Sequence, residues 1–177
     1  MIDSDVMIRA MNGDRSAFST VVNTGGTRLV RFAYGMLADR EAARDIVQDV
    51  FVKLWTSRAT YRPSGSPEAF LLKVVRNACI DRMRSVRRRT EISIDDAREA
   101  DLSVGPYRHP LSDAVDGAVR QLPEAQRTVF VLSEYEGLTY QEIADILGCP
   151  HGTVASRKSA AMESLRRLLQ PCREGEL

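Results

Sequence analysis

Five arginines, Arg82, Arg84, Arg87, Arg88 and Arg89, fall within eight residues. Guanidinium groups at that density bind phosphate oxygens well, because each offers a planar fork of donors. Arg76, Arg84 and Arg87 are spaced by eight and three, which suits one face of a helix. Asn77 beside them supplies an amide for a backbone or base contact. The plain alternatives are a solvated helix end, where positive charge suits the dipole, and a surface for an acidic protein. Upstream, Tyr61, Arg62, Ser64 and Gly65 lie in a loop punctuated by Pro63. An aromatic ring there can stack an unpaired base, although a loop tyrosine more commonly only packs.

A second constellation is "LTYQEIADILGCPHGTVASR" at 138–157. Thr139 with Glu142 three residues on forms a capping box for a helix over 140–147. Gly148 suits a left-handed turn and Pro150 a new helix start, so the second helix begins near His151. Together they form a helix-turn-helix, whose second helix fits the DNA major groove. Its outward residues near the start are His151, Thr153, Ser156, Arg157 and Ala160. Lys158 is partly inward but long enough to reach a phosphate. A hairpin that only packs is the alternative. Residues 123–177 carry six Lys/Arg against eight Asp/Glu. A unit of that charge binds DNA weakly on its own, so it needs a second anchor.

The remaining composition narrows the classes. The net charge of +1 hides an asymmetry: residues 1–90 carry sixteen Lys/Arg against nine Asp/Glu, a basic front half. Cys79, Cys149 and Cys172 are widely separated, no CxxC occurs, and the only histidines are His109 and His151. That excludes a disulfide scaffold and leaves a zinc site, or any other cofactor, without a ligand pattern. No acid pair, phosphate-binding glycine loop or nucleophile arrangement suggests an enzyme; "NTGG" at 23–26 reads as a turn. No apolar run approaches the ~20 residues needed to insert into a membrane, and no signal peptide opens the chain. A cytoplasmic location is expected.

The elements that must position these groups are helices, and the expected fold is all-α. A short helix over about 14–22 is followed by a helical pattern through Leu29, Val30, Ala33, Met36 and Leu37. Asp39 caps a longer helix to Trp55, with Asp45, Gln48, Asp49, Val52 and Lys53 on or near its solvent side. Ser66, Pro67 and Glu68 start another helix to about Ser85. "VFVLSEY" at 129–135 reads as helix, and the second helix of the hairpin ends near 168. Residues 89–111 are aperiodic and acidic. That predicts a flexible linker between units at 1–88 and 112–170, with 171–177 as a tail.

In order and spacing, "GDRSAF", "DIVQDVFVKLW", "AFLLKVVRNACIDRMR", "LPEAQRTVFVLSEYEGLTYQEIADILG" and "GTVASR" resemble a bacterial RNA polymerase sigma factor of the extracytoplasmic-function (ECF) group. The resemblance implies region 2 and region 4 domains joined by a linker. It implies core RNA polymerase docking through Asp45, Gln48, Asp49, Val52 and Trp55. It further implies −10 promoter DNA binding and melting by Tyr61, Arg62, Ser64, Gly65, Arg76, Asn77, Arg82 and Arg84. The −35 element would be read from Thr139, His151, Thr153, Ser156, Arg157 and Lys158, and an anti-sigma factor would hold the protein inactive. The chain departs from the family at Phe70, where Trp is common, at Ala155 and Ala160, where basic residues are common, and at Lys158, where an apolar residue is common. The rival readings are a stand-alone helix-turn-helix regulator and a protein-interaction module without DNA.

Overall fold

The computed structural model describes residues 2–57, 66–92 and 110–173, and every regular element among them is helical. The first cluster contains α1 (Ser4–Met11), α2 (Arg15–Leu37), α3 (Arg40–Thr56) and α4 (Pro67–Ile92). The second contains α5 (Pro110–Gln121), α6 (Glu124–Phe130), a π-helical turn (Val131–Tyr135), α7 (Tyr140–Leu147) and α8 (His151–Arg173).

Side-chain caps fix where the helices begin. Asp3, Asp14 and Asp39 each accept from backbone N–H groups of the following turn. Ser66 Oγ accepts from Ala69 N at 3.1 Å, just ahead of Pro67. Each such cap satisfies donors that the first turn leaves without partners. The chain start is tied down as well: Ile2 N donates to Glu68 Oε1 at 2.5 Å.

In the first cluster α2 is the axis, packed on α1, α3 and α4. Met7, Phe32, Met36, Leu71 and Leu72 close its core. In the second, α8 crosses α5, α6 and α7 over Val129, Leu132, Ile143, Val154 and Ala161.

Several boundaries differ from the sequence expectation. Residues 23–26 are not a turn: α2 runs unbroken through them. Gly25 is buried there, and a Cβ would stand 3.0 Å from Ile2 Cδ1, so this glycine answers a packing need. The α4 helix passes Ser85 and reaches Ile92, because arginine is a good helix former and nothing in the run breaks it. The ends assigned to the linker, 89–92 and 110–111, are therefore helical, as are 171–173 of the expected tail. "VFVLSEY" is helical and closes as a π turn.

The sequence leaves the placement of the two clusters open. In the structure they pack together, α2 against α5 and the π turn, and α4 against α7. Gly35 makes the approach possible: a Cβ there would lie 2.8 Å from both Val131 Cγ1 and Tyr135 Cδ2.

Candidate functional site

Three surfaces carry the chemistry. The first is a groove of about 490 Å³ between α2 and α3. Phe18, Val22, Val30, Val47, Phe51, Val52 and Trp55 line it, with Arg44 and Gln48 at its polar edge. Phe18 organises the floor, its ring 4.9 Å from Trp55 and edge-on to Phe51 at 6.2 Å. Val52 is 56% exposed. Such exposure of a large aliphatic residue beside an open apolar groove marks a candidate contact surface. The structure thus brings Gln48, Val52 and Trp55 together. Asp49 falls on the opposite side of α3, and Asp45 lines neither α3 cleft.

The second surface is the cleft between α3 and α4, about 580 Å³, which holds Asp49, Asn77 and Arg82. Lys53 and Asp81 also face it. Sequence reading missed Asp81, although its signal is plain: Val74, Asn77, Ala78 and Asp81 are one stripe at i, i+3, i+4 and i+7. Arg76 and Arg84 are held elsewhere. Arg76 is half-buried; its Nη1 donates to Asn77 Oδ1 at 3.1 Å, and its Nε is buried without a hydrogen-bond partner. Arg84 reaches across to Glu124 at the start of α6, at 3.3 Å. Tyr61, Arg62, Ser64 and Gly65 lie outside the described residues.

The third surface is the helix-turn-helix. Thr139 and Glu142 form the capping box, and Gly148 ends α7 in the left-handed conformation at φ 61°. Thr139 Oγ1 is thereby committed to Glu142, at 2.7 Å from its carboxylate and 3.3 Å from its N–H. His151, Gly152 and Ser156 are exposed along the first turns of α8, with Thr153 and Arg157 half-buried. The His151 ring rests 5.7 Å from Tyr140. Arg157 Nη1 is 4.0 Å from Cys149 Sγ. Lys158 is turned inward: only 7% exposed, its ammonium donates to Ser133 Oγ at 2.7 Å and to Glu134, and sits 4.9 Å from the Phe130 ring. As folded, that ammonium has no reach to a phosphate. An apolar residue is unnecessary at this position because the π turn supplies a hydroxyl and the Glu134 carboxylate.

Thr139 hydrogen bonds, through side chain and backbone, hold the Glu142 carboxyl below its usual range, and Arg28 adds to the shift. A lowered carboxylate pKa stabilises the fold above the unfolded value and loses that contribution as pH falls through the folded one. Acidification is expected to loosen the α7 start, seen as lower amide protection factors, corrected for the intrinsic exchange rate, at Thr139 and Glu142. Thr139→Ala is expected to cost about 1 kcal/mol by denaturant unfolding.

Polar groups clasp the two clusters. The Glu136 side chain is wholly buried and accepts from Arg28 at 2.6 Å and Arg31 at 3.3 Å. Tyr34 donates to Asp116 at 2.7 Å. Arg127 Nη1 donates to Met36 O, at the carbonyl end of α2, at 2.9 Å, while Nη2 reaches Arg120 O and Leu122 O. Burial lowers the Arg127 pKa, Glu124 opposing and Arg120 adding to that shift.

An all-α fold that combines a basic helix, an apolar groove and a helix-turn-helix is an arrangement suited to DNA-engaging regulators. The sigma-70 region 2 family pattern matches residues 21–89 and the sigma-70 region 4 pattern matches 112–165, together over two-thirds of the chain. The RNA polymerase sigma-H factor of Pseudomonas aeruginosa is 29% identical, the match spanning 96% of this chain and 94% of that protein. The ECF RNA polymerase sigma-E factor of Haemophilus influenzae is 28% identical over 97% of each. Among solved structures, the sigma factor RpoE in complex with the anti-sigma factor NepR from Bartonella quintana matches with a TM-score of 0.71, 28% identity, and coverage of 86% of this chain and 96% of that one. CnrH in complex with the cytosolic domain of CnrY shares the fold, with a TM-score of 0.72, 24% identity, and coverage of 96% and 98%. The chain belongs to the sigma-70 family, in its extracytoplasmic-function group. It is a sigma factor, not an enzyme, and its function is to direct RNA polymerase to promoters. No described helix is long and apolar enough to cross a membrane.

Proposed function

We propose that the α2/α3 groove docks on core RNA polymerase, with Gln48, Val52 and Trp55 at its centre and Asp45 at its margin. The unit at residues 1–88 engages the −10 element through Tyr61, Arg62, Ser64 and Gly65 and through Arg76, Asn77, Arg82 and Arg84. The unit at 112–170 reads the −35 element from His151, Thr153, Ser156 and Arg157. In this division Thr139 builds the start of α7, and Lys158 stabilises α8 from inside. An anti-sigma factor keeps the protein in its compact form, as a partner of the kind bound to RpoE in the solved complex.

The observation that carries this reading is the division of labour among surfaces on one chain. The groove is apolar, whereas α4 carries the arginines; the first suits protein and the second phosphate. The helix-turn-helix unit is too acidic for tight binding alone and gains affinity by being tethered to the rest. In the compact form Arg84 is engaged by Glu124 and Arg76 is half-buried, so DNA binding needs the clusters to separate.

Run-off transcription with bacterial core polymerase on a promoter-fragment library tests the proposal. Starts that depend on this protein and share two short elements are expected. No dependent starts, but salt-sensitive binding of the chain alone to one duplex, would replace it with a stand-alone regulator.

A further inference from the structure

We infer that the π turn links the contact between the clusters to the pose of α8, and that Lys158 is the positioning residue through which the link acts. This rests on the promoter-reading role above and goes beyond it, by making separation of the clusters set how well the −35 element is read.

The turn is gripped from two sides. On one side it packs against α2. Val131 and Tyr135 lie over Gly35, where a Cβ would stand 2.8 Å from each. Glu136, the next residue, accepts from Arg28 and Arg31. On the other side Ser133 Oγ and the Glu134 carboxylate take the Lys158 ammonium, 4.9 Å from the Phe130 ring. Phe130 and Tyr135 meet edge-on at 5.8 Å, so the two sides touch. One short stretch of chain thus joins α2 to α8.

Lys158 is out of place in its row. Val154, Ala161 and Leu165 share the inner side of α8, and all are buried and apolar. A buried ion pair is a poor source of stability, since apolar side chains of similar volume often do as well or better. What a buried cation adds is dependence on its partners. An ammonium left unpaired among apolar groups is costly, so α8 must follow Ser133 and Glu134. Ser156 and Arg157 immediately precede Lys158, so any shift reaches the reading residues.

The turn has a second arrangement open to it. Glu136 N donates to Val131 O at 3.2 Å, one residue wider than an α-helix. Wide turns of this kind are rare, occur singly and frequently sit at functional sites. Packing on α2 holds this one. When the clusters separate, Val131 and Tyr135 lose the Gly35 face and Glu136 loses both arginines. The turn then tightens toward regular helix, Ser133 and Glu134 shift, and Lys158 carries the start of α8 with them. Promoter reading needs the clusters apart, so the tightened form is the one that reads.

A double-mutant cycle on the full chain tests the link. Gly35→Leu lies on α2 and opens the chain from outside the unit being read. The readout is the ratio of affinities for a duplex carrying the −35 element, taken from the run-off starts, and for a scrambled duplex, at about 50 mM salt. That ratio cancels the non-specific gain from released arginines. Gly35→Leu should raise it about fivefold, the scale of a modest coupling. With Lys158→Met the same opening, verified by scattering, should leave the ratio unchanged, and Lys158→Arg should restore the rise. A merely structural lysine would alter closed and opened chains alike. Glu134→Gln, at a half-exposed side chain that leaves the fold intact, should weaken the coupling as well. An opened chain with an unchanged ratio, or an equal rise with Lys158→Met, would overturn the link while leaving the sigma role intact. A chain that stays compact with Gly35→Leu has no separation to transmit and would overturn it too. No wild-type starts at all would overturn the promoter reading and the link together.

Discussion

Val52→Asp is expected to weaken binding to core RNA polymerase about 100-fold while leaving the fold intact. Val52 is already more than half exposed, so an aspartate there costs the free protein little. Surface changes of this kind stay within about 0.5 kcal/mol. The bound state is different. The side chain opens onto a groove built from Phe18, Val22, Val30, Phe51 and Trp55. A partner covering that groove would bury a carboxylate without a counter-ion. A central residue of a docking surface carries about 2 kcal/mol or more, and 100-fold corresponds to about 2.7 kcal/mol. Asp45→Ala is the matched control, because Asp45 lines neither α3 cleft and a rim charge changes affinity little. Competition binding against labelled core polymerase measures both. Equal affinities for Val52→Asp and wild type would remove the groove from the docking surface.

The helices themselves were largely legible in the sequence, because their signals are local. Asp39, Ser66 and the Thr139–Glu142 box each announce a start within four residues of chain, and each is found as a cap. The failures came where a local sign had a distant cause. Gly25 and Gly26 look like a turn, but α2 continues because Gly25 makes room for Ile2 and Leu71. Lys158 looks like a phosphate ligand until the π turn, twenty-five residues earlier, supplies Ser133. The α3/α4 cleft was half legible: each stripe can be read from its spacing, but not that the two stripes face each other. The clasp between clusters was not legible at all, since Glu136 meets Arg28 across 108 residues with no periodicity to mark them.

That clasp leads to the second large effect: Glu136→Lys and Gly35→Leu should each open the compact chain. The energies rank the contacts. In the Arg84–Glu124 pair the arginine is mostly exposed and the glutamate is a third exposed. A pair of that kind contributes at most about 1 kcal/mol. Glu136 is wholly buried between two arginines. Arg28 is a third exposed and Arg31 more than half exposed, so these pairs hold more than a surface pair but less than the roughly 3–5 kcal/mol of a fully buried one. Placing a lysine there also sets a third cation beside Arg28 and Arg31. Gly35 works by shape instead. A Cβ would stand 2.8 Å from Val131 Cγ1, and Val131 is itself fully buried and has nowhere to move. Leucine is a better helix former than glycine by roughly 0.5–1 kcal/mol, so α2 is not weakened, and loss of compactness must come from the interface. A compact chain of this length has a radius of gyration of about 16 Å. Small-angle scattering should show both variants several ångström larger with helix content unchanged. Opening releases Arg84 from Glu124, so both variants should also bind single-stranded DNA more tightly at low salt, with a steeper salt dependence. Unchanged radii in both would mean that the interface has little hold on the compact state. Larger radii without tighter DNA binding would mean that the clusters separate but that their contact does not mask the arginine face.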